Sequence, residues 1–277
     1  MTPDLRIQQA IALADARGVK IVGSTPEFDT AEAERIATLF GIRPPGVRCQ
    51  LAHFACPFGK AHVAVVRAED RPGSGDVIGF RFLLLSRDLY RHLGDPFAIS
   101  DRYPVNWNAT GTLPELAWPV EVLPERTIEQ LDGILKVGDG PLLLGAAQAI
   151  VDGNRVVIRR DAPEERLIRD LWQLLPDKTR AECWPASFAF SDELGLHLVA
   201  GPVQVASAVA SKPLTEEAVR DYPSSNYELN LQIAIESGDR AALRRLLARR
   251  TLDDSIRLTI YIVIFSLIVA VLFRFVL

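Results

Sequence analysis

Apolar and polar positions alternate, imperfectly, along Ile7-Gln8-Gln9-Ala10-Ile11-Ala12-Leu13-Ala14 and again along Val19-Lys20-Ile21-Val22-Gly23-Ser24. Asp15-Ala16-Arg17-Gly18 between them has turn chemistry, so two strands joined by a tight turn are expected, although the first segment also fits a helix. The period then lengthens to that of a helix from Thr30 or Ala31 to Phe40, with Asp29 or Thr30 as N-cap and Gly41 as the stop. Strand patterns return at 47–55, 61–68 and 77–85, separated by Pro57-Phe58-Gly59 and Arg71-Pro72-Gly73-Ser74-Gly75. Turn clusters at that spacing predict an antiparallel meander. Residues 95–125, rich in proline and carrying Trp107 and Trp118, read as a long irregular segment laid over the surface.

Helical periodicity takes over at 126–137 and 141–151, around Gly138-Asp139-Gly140, and a short strand is expected at 155–160. Pro163 suits the first position of a helix over 164–175, which Pro176 ends. Strands are expected at 187–190 and 196–200. A helical hairpin follows at 227–237 and 240–250, with Gly238 as the stop and Asp239 as the second N-cap. Strand runs mixed with helix runs, without a regular βαβ alternation, predict an α+β fold.

The pattern changes abruptly near the end. Leu258 to Phe273 is sixteen residues without a charge, closed by Arg257 on one side and Arg274 on the other. A helix of that length rises about 24 Å, short of a bilayer core of about 30 Å. Counting from Ile256 to Leu277 gives 22 residues, and both arginines can snorkel to the interfaces. A buried core element is the competing reading, but the run is apolar all round and far longer than a usual strand. Leu258, Tyr261, Phe265, Ser266, Ala270 and Phe273 are therefore assigned to a membrane span. Arg249, Arg250 and Arg257 flank it on one side, with Arg240, Arg244 and Arg245 just before them; Arg274 stands alone on the other. Basic residues collect on the cytoplasmic side, so the expectation is a single-pass, tail-anchored protein of the inner (plasma) membrane with its N-terminal domain in the cytoplasm. The expected division is a cytoplasmic α+β domain over 1–222, a helical hairpin and basic juxtamembrane segment over 223–255, and the anchor over 256–277. Ser266 and Ala270 make one small-xxx-small step, a route to self-association of the helix.

Composition narrows the class further. The chain has 277 residues, 48% hydrophobic and 24% charged, which excludes wholesale disorder, and its formal charge of −4 argues against a protein built chiefly to grip nucleic acid. Three cysteines, Cys49, Cys56 and Cys183, make no disulfide framework.

Candidate chemistry is sparse. His53, Cys56 and His62 have an H-x2-C-x5-H spacing to which Cys49 could add a fourth zinc ligand, but the surroundings Leu51, Phe54, Phe58 and Val63 favour reduced cysteines packed as small hydrophobes. Cys56 as a nucleophile, with His53, His62, His92 or His197 as base, lacks any local motif. Gly138-Asp139-Gly140 lacks a third glycine, and no GxxxxGK[ST] is present. No catalytic residue, cofactor or metal is assigned. Arg102, Tyr103, Asn106 and Trp107 have the chemistry of interface anchors; the competing reading is that the aromatic residues pin a long loop to the core.

Two blocks carry a resemblance. One is Ile21-Val22-Gly23-Ser24-Thr25-Pro26-Glu27-Phe28-Asp29-Thr30-Ala31-Glu32-Ala33. The other runs from Leu142-Leu143-Leu144-Gly145-Ala146-Ala147 through Asp152-Gly153-Asn154-Arg155-Val156-Val157-Ile158 to Leu171-Trp172-Gln173-Leu174-Leu175-Pro176-Asp177-Lys178-Thr179-Arg180 and Phe188-Ala189-Phe190. In order and spacing these pieces resemble the N-terminal region of the GTPase-associated protein family of predicted bacterial conflict systems, over about residues 5–200. The chain departs from that pattern at Gly79-Phe80-Arg81-Phe82-Leu83, which has no histidine. The resemblance implies an adaptor or scaffold serving a GTPase-linked defence system and transfers no catalytic residue. Expected partners are a protein, a component of such a system, and the lipid bilayer. The alternatives are a membrane effector whose helix oligomerises and breaches the bilayer, and a Cys/His hydrolase without a recognisable motif.

Overall fold

The computed structural model describes residues 4–71, 76–120, 123–202, 213–223 and 226–248. β1 (Arg6–Asp15) and β2 (Gly18–Ser24) form the expected hairpin, with Gly18 at φ +129° in the turn, where a Cβ would be strained. Asp29 accepts a hydrogen bond from the Glu32 amide and so starts α1 (Thr30–Leu39). β3 (Ala52–Phe58), β4 (His62–Asp70) and β5 (Ile78–Ser86) make the predicted antiparallel meander, and β5 returns to pair with β1. The third strand starts later than its pattern predicts. Cys49, inside the expected strand, is held instead by Asp70, whose carboxylate accepts its amide at 3.1 Å and whose own amide donates back at 2.7 Å.

Two helices stand where the sequence reading has none or only loop. Ser86 caps α2 (Arg87–Leu93), and Asp95 caps α3 (Pro96–Arg102), with Gly94 at φ +64° between them. The proline that reads as a breaker is thus a first-position helix residue. The rest of that segment adds only the short strands β6 (Gly111–Thr112) and β7 (Leu116–Ala117). α4 (Ile128–Val137), α5 (Gly140–Val151) and β8 (Val156–Arg159) follow as predicted. α6 (Glu165–Leu174) has Glu164 as its cap residue, so Pro163 lies outside the helix instead of at its first position. Pro176 ends α6 and opens α7 (Asp177–Glu182). The strand expected at 187–190 is displaced to β9 (Pro185–Ala186), while Phe188 and Phe190 enter the core from irregular backbone. β10 (Leu198–Gly201), β11 (Leu214–Thr215) and α8 (Glu216–Arg220) precede the hairpin of α9 (Asn226–Glu236) and α10 (Arg240–Leu247), whose second N-cap is Asp239.

Among the described residues the strands form one mixed sheet in the order β11-β8-β10-β9-β3-β4-β5-β1-β2-β6, with β7 on β1. The β9-β10-β8-β11 end is parallel and the β3-β4-β5-β1-β2 end antiparallel. The fold is α+β, and its parallel end is the feature that pattern reading does not reveal. The two ends meet at a single paired position, Phe54 with Ala186. One face carries a continuous layer of rings, Phe28, Phe40, Phe54, Phe80, Phe82, Phe188 and Phe190, packed with Ile36 of α1 and running on to Val157 and Val199. The opposite face is divided. α2 and α3 cover Ile7, Ala55, Val65, Leu83 and Leu85. α4, α5, α6, α8, α9 and α10 cover Val156, Ile158, Leu198 and Ala200.

The hairpin α9–α10 belongs to this second layer through Leu231, Leu243 and Leu247. Among the described residues no single helix is long and apolar enough to cross a membrane. α4 and α5 together meet that test, but they are bent by 118° at their junction, and nine consecutive residues of α5, Leu142 to Ile150, are buried. The span assigned to 256–277 lies outside the described residues.

Candidate functional site

The seam between the two helical layers holds a buried ion pair, Asp95 with Arg180. Asp95 closes α2 to α3 and is 6% exposed. Its Oδ1 accepts the amides of Phe97 and Ala98 at 3.1 and 3.0 Å, and its Oδ2 accepts Arg180 Nη2 and Gln173 Nε2, each at 2.8 Å. The Trp172 indole donates to Gly94 O at 2.9 Å. Arg126 donates to the Gln173 carbonyl at 2.9 Å and pairs with Asp177; burial first, then the Arg180 charge, lowers its pKa to about 10. These contacts tie α2 and α3 to α6 and α7.

Beside them lies a cluster with more chemical capacity. His53 sits on β3, on the sheet face opposite Phe54 because side chains alternate along a strand. Asp101 stands in the last turn of α3, Glu165 in the first turn of α6, and Arg169 one turn further along α6. Arg169 grips Asp101 with Nη1 at 2.6 Å and Nη2 at 2.9 Å, donates from Nε to Glu165 at 2.7 Å, and lies 5.0 Å over the Phe97 ring. His53 is 1% exposed. Its Nδ1 is 3.2 Å from Glu165 Oε1, yet neither ring nitrogen makes an aligned hydrogen bond. Ligand-type atoms of His53, Asp101 and Glu165 all lie within 4.8 Å of one another. The Arg169 fork holds the Asp101 carboxyl below the usual carboxylate range, despite an opposing desolvation. For Glu165 desolvation acts upward most strongly, but His53 and Arg169 together outweigh it and hold that carboxyl low as well.

The histidines and cysteines singled out by spacing are not brought together. Cys56 is 1% exposed and faces the ring layer on the opposite side of the sheet from His53. Burial pushes the thiols of Cys49, Cys56 and Cys183 up to about 12, the reverse of what an activated nucleophile needs. His62 is exposed at the start of β4, and His92 is exposed on α2. His197 is half-buried and accepts the Trp184 amide on Nδ1 at 3.1 Å; burial, then Arg155, pushes its pKa down.

Arg102, Tyr103, Asn106 and Trp107 are committed to internal contacts, although they keep exposed or half-buried surface. Arg102 lies 5.3 Å over Trp118, and the Tyr103 hydroxyl donates to Ala117 O at 2.8 Å. The Tyr103 carbonyl accepts Arg81 Nη1 at 2.6 Å. Asn106 Oδ1 accepts the Asn108 amide at 3.1 Å. Trp107 donates to Glu69 and stacks under Arg71 at 5.0 Å. This is how an aromatic-rich segment is pinned to a sheet. Arg249, Arg250, Arg257, Leu258, Tyr261, Phe265, Ser266, Ala270, Phe273 and Arg274 lie outside the described residues.

A cleft of about 1340 Å³ opens beside the first hairpin and the end of α1. Arg17, Arg43 and Arg48 line it with Asp15, Asp70 and Asp76, and Arg43 pairs with Asp70. Charges of both signs face it, so it has no single electrostatic preference. Sequence reasoning singled out His53 but grouped it with Cys56 and His62, and it missed Asp101, Glu165 and Arg169, which complete the cluster. Its members come from three elements far apart in the chain, and the only local signal is the i, i+4 spacing of Glu165 and Arg169. Comparison of the chain with protein-family models, with curated proteins and with solved structures finds no match.

Proposed function

We propose that the chain is a membrane-tethered adaptor, a cytoplasmic α+β body held at the inner membrane by residues 256–277, that binds a protein partner there. The observation that carries this reading is the charge-free run Leu258–Phe273 between Arg257 and Arg274, with the surplus of arginines on its N-terminal side. The hairpin supports it. Leu243 and Leu247 fix α10 to the body, and Leu258 follows eleven residues later. An extended chain of that length reaches at most about 40 Å, so an anchored body would stay close to the headgroups. The resemblance to the GTPase-associated family points to a component of a GTPase-linked bacterial defence system as the partner. Ser266 and Ala270 favour a second reading, a membrane effector acting through self-association of the helix.

Fractionation of the full-length chain beside a version ending at Arg250 tests the tether. The full-length protein is expected to resist alkaline carbonate extraction and the shortened one to be released. Release of both refutes it. Toxicity on overexpression that disappears with residues 256–277 would favour the effector over the adaptor.

A further inference from the structure

Among the described residues His53 is a buried polar group whose two ring nitrogens both lack an aligned partner. A buried imidazole normally pairs both ring nitrogens; this one, 1% exposed, meets Glu165 only in a poorly aligned contact at Nδ1, and its Nε2 has no partner among the described residues. Its surroundings do not lack acceptors: Glu165 Oε1 is 3.2 Å from Nδ1, and an Asp101 carboxylate oxygen completes a group within 4.8 Å. The separation is right for a contact and the alignment is wrong for a hydrogen bond. That combination has a simple geometric source. Around a tetrahedral ion with ligand bonds of about 2.0–2.2 Å, neighbouring ligand atoms stand about 3.3–3.6 Å apart, and each lone pair points at the ion instead of at its neighbour.

We propose that His53 Nδ1, Glu165 and Asp101 form a site for a first-row divalent metal ion of the Zn2+ class, and that Arg169 occupies the two carboxylates when the ion is absent. The chemistry matches in three ways. One imidazole and two carboxylates are a borderline donor set suited to such ions. The two negative charges balance the ion. The side-chain exposure of 2% at His53, 23% at Glu165 and 53% at Asp101 gives a buried ligand at the base and an open mouth for entry and for water. Phe97, in edge contact with His53 at 6.3 Å between ring centroids, supplies an apolar wall.

Arg169 is then a resident competitor. Its guanidinium spans Asp101 and Glu165 through the contacts given above, and its side chain is 27% exposed, so it has a route out to solvent. Binding is an exchange: the ion takes the carboxylates and adds the imidazole, which the guanidinium leaves unused. No net redox change or bond cleavage is involved, and His53 must be neutral to ligate. The inference stands apart from the membrane tether and does not depend on it.

The test uses the full-length protein in detergent micelles, titrated with Co2+ and followed by its d–d absorption, and with Zn2+ by calorimetry. The wild type is expected to bind one ion per chain. Removing the competitor in Arg169→Gln should tighten binding by about tenfold or more, whereas a merely structural Arg169 gives no gain. Asp101→Asn, at an exposed position, should weaken binding by about tenfold, and His53→Ala should abolish it with loss of the Co2+ spectrum. Absence of Co2+ and Zn2+ binding in both the wild type and Arg169→Gln overturns the proposal. So does binding that Asp101→Asn leaves unchanged, or that Arg169→Gln fails to strengthen.

Discussion

Two glycines lie inside helices with opposite surroundings, and they predict opposite responses to the same added methyl group. A Cβ built on Gly145 in α5 would stand 2.1 Å from the Val219 carbonyl oxygen, 3.1 Å from its carbon and 3.7 Å from Tyr222 Cβ. A tolerable carbon–oxygen approach is about 3.3 Å, so α8 must retreat by roughly 1.2 Å at that point. The retreat is not free. Val219 O accepts the Tyr222 amide at 3.1 Å, and the Tyr222 hydroxyl meets Asn154 at 2.8 Å and Asp152 at 3.1 Å. Overpacking of this kind costs about 1–3 kcal/mol or more, against which the better helix propensity of alanine offsets about 1 kcal/mol.

Gly133 in α4 has nothing within 4 Å of its virtual Cβ, so Gly133→Ala keeps the propensity gain alone, about 0.5–1 kcal/mol. The propensity gain is common to both variants, so Gly145→Ala should be the less stable one by the overpacking cost, about 1–3 kcal/mol, a separation in Tm of roughly 2–12 °C for a body of this size. Thermal and urea melts of the full-length variants in detergent, followed by near-ultraviolet circular dichroism, measure the difference. Equal stability of the two variants would refute the reasoning, because it would mean that α8 is not held against α5 at Val219.

The remaining predictions concern the seam. Arg180→Met leaves the buried Asp95 carboxylate without its 2.8 Å ion pair and should cost about 3–5 kcal/mol; in the Asp95→Asn background the same change should cost clearly less, and additive losses in urea melts would contradict the pairing. Asp101 and Glu165 have depressed pKa values in the fold, so their stabilisation is present above about pH 4.3 and is lost as pH falls through the folded values. Urea midpoints should drop between pH 5 and pH 3, and the drop should be shallower in Arg169→Gln; an unchanged acid limb in that variant would sink the assignment.

Local rules carried most helix starts along the chain. Asp29, Thr127, Asp139 and Asp239 each accept an amide hydrogen bond at a helix start, as side chains of that chemistry should. They carried the meander too, because its turns and alternation lie in contiguous segments. The failures share a cause. Asp95-Pro96 reads as irregular when proline is counted as a breaker, yet Asp95 caps a helix whose first residue is that proline. The core-facing run Ser187–Phe190 has strand composition, but Ser187 spends its groups on neighbours: its amide donates to His53 O at 2.8 Å and its hydroxyl accepts the His53 amide at 2.8 Å. The parallel pairing of β9, β10, β8 and β11 rests on two to four residues per strand, too few for a period to register. The His53 cluster was illegible for a stronger reason: its three donors come from β3, α3 and α6, and nothing local links them.

That placement also gives the cluster mechanical weight. The sheet joins its antiparallel and parallel ends through one paired position, Phe54 with Ala186, reinforced by the two His53–Ser187 bonds. A junction so short resists relative movement of the two ends poorly, because a sheet transmits stiffness through its ladder. On one face the ring layer that runs on to Val157 and Val199 spans the joint, and on the other groups that cross the seam add stiffness. Asp95 to Arg180 and Gln173, Gly94 to Trp172, and Asp101 to Arg169 all do so. His53 and Asp101 belong to the antiparallel side and Glu165 to the parallel side. An ion held by all three would therefore bridge the two halves at their weakest joint, exchanging a flexible guanidinium clasp for a bonded one. Metal occupancy should then raise the barrier to separating the halves as well as the overall stability. Amide hydrogen exchange at Ser187 and Glu164, whose N–H groups donate to His53 O and Ser187 O, is where that coupling would register.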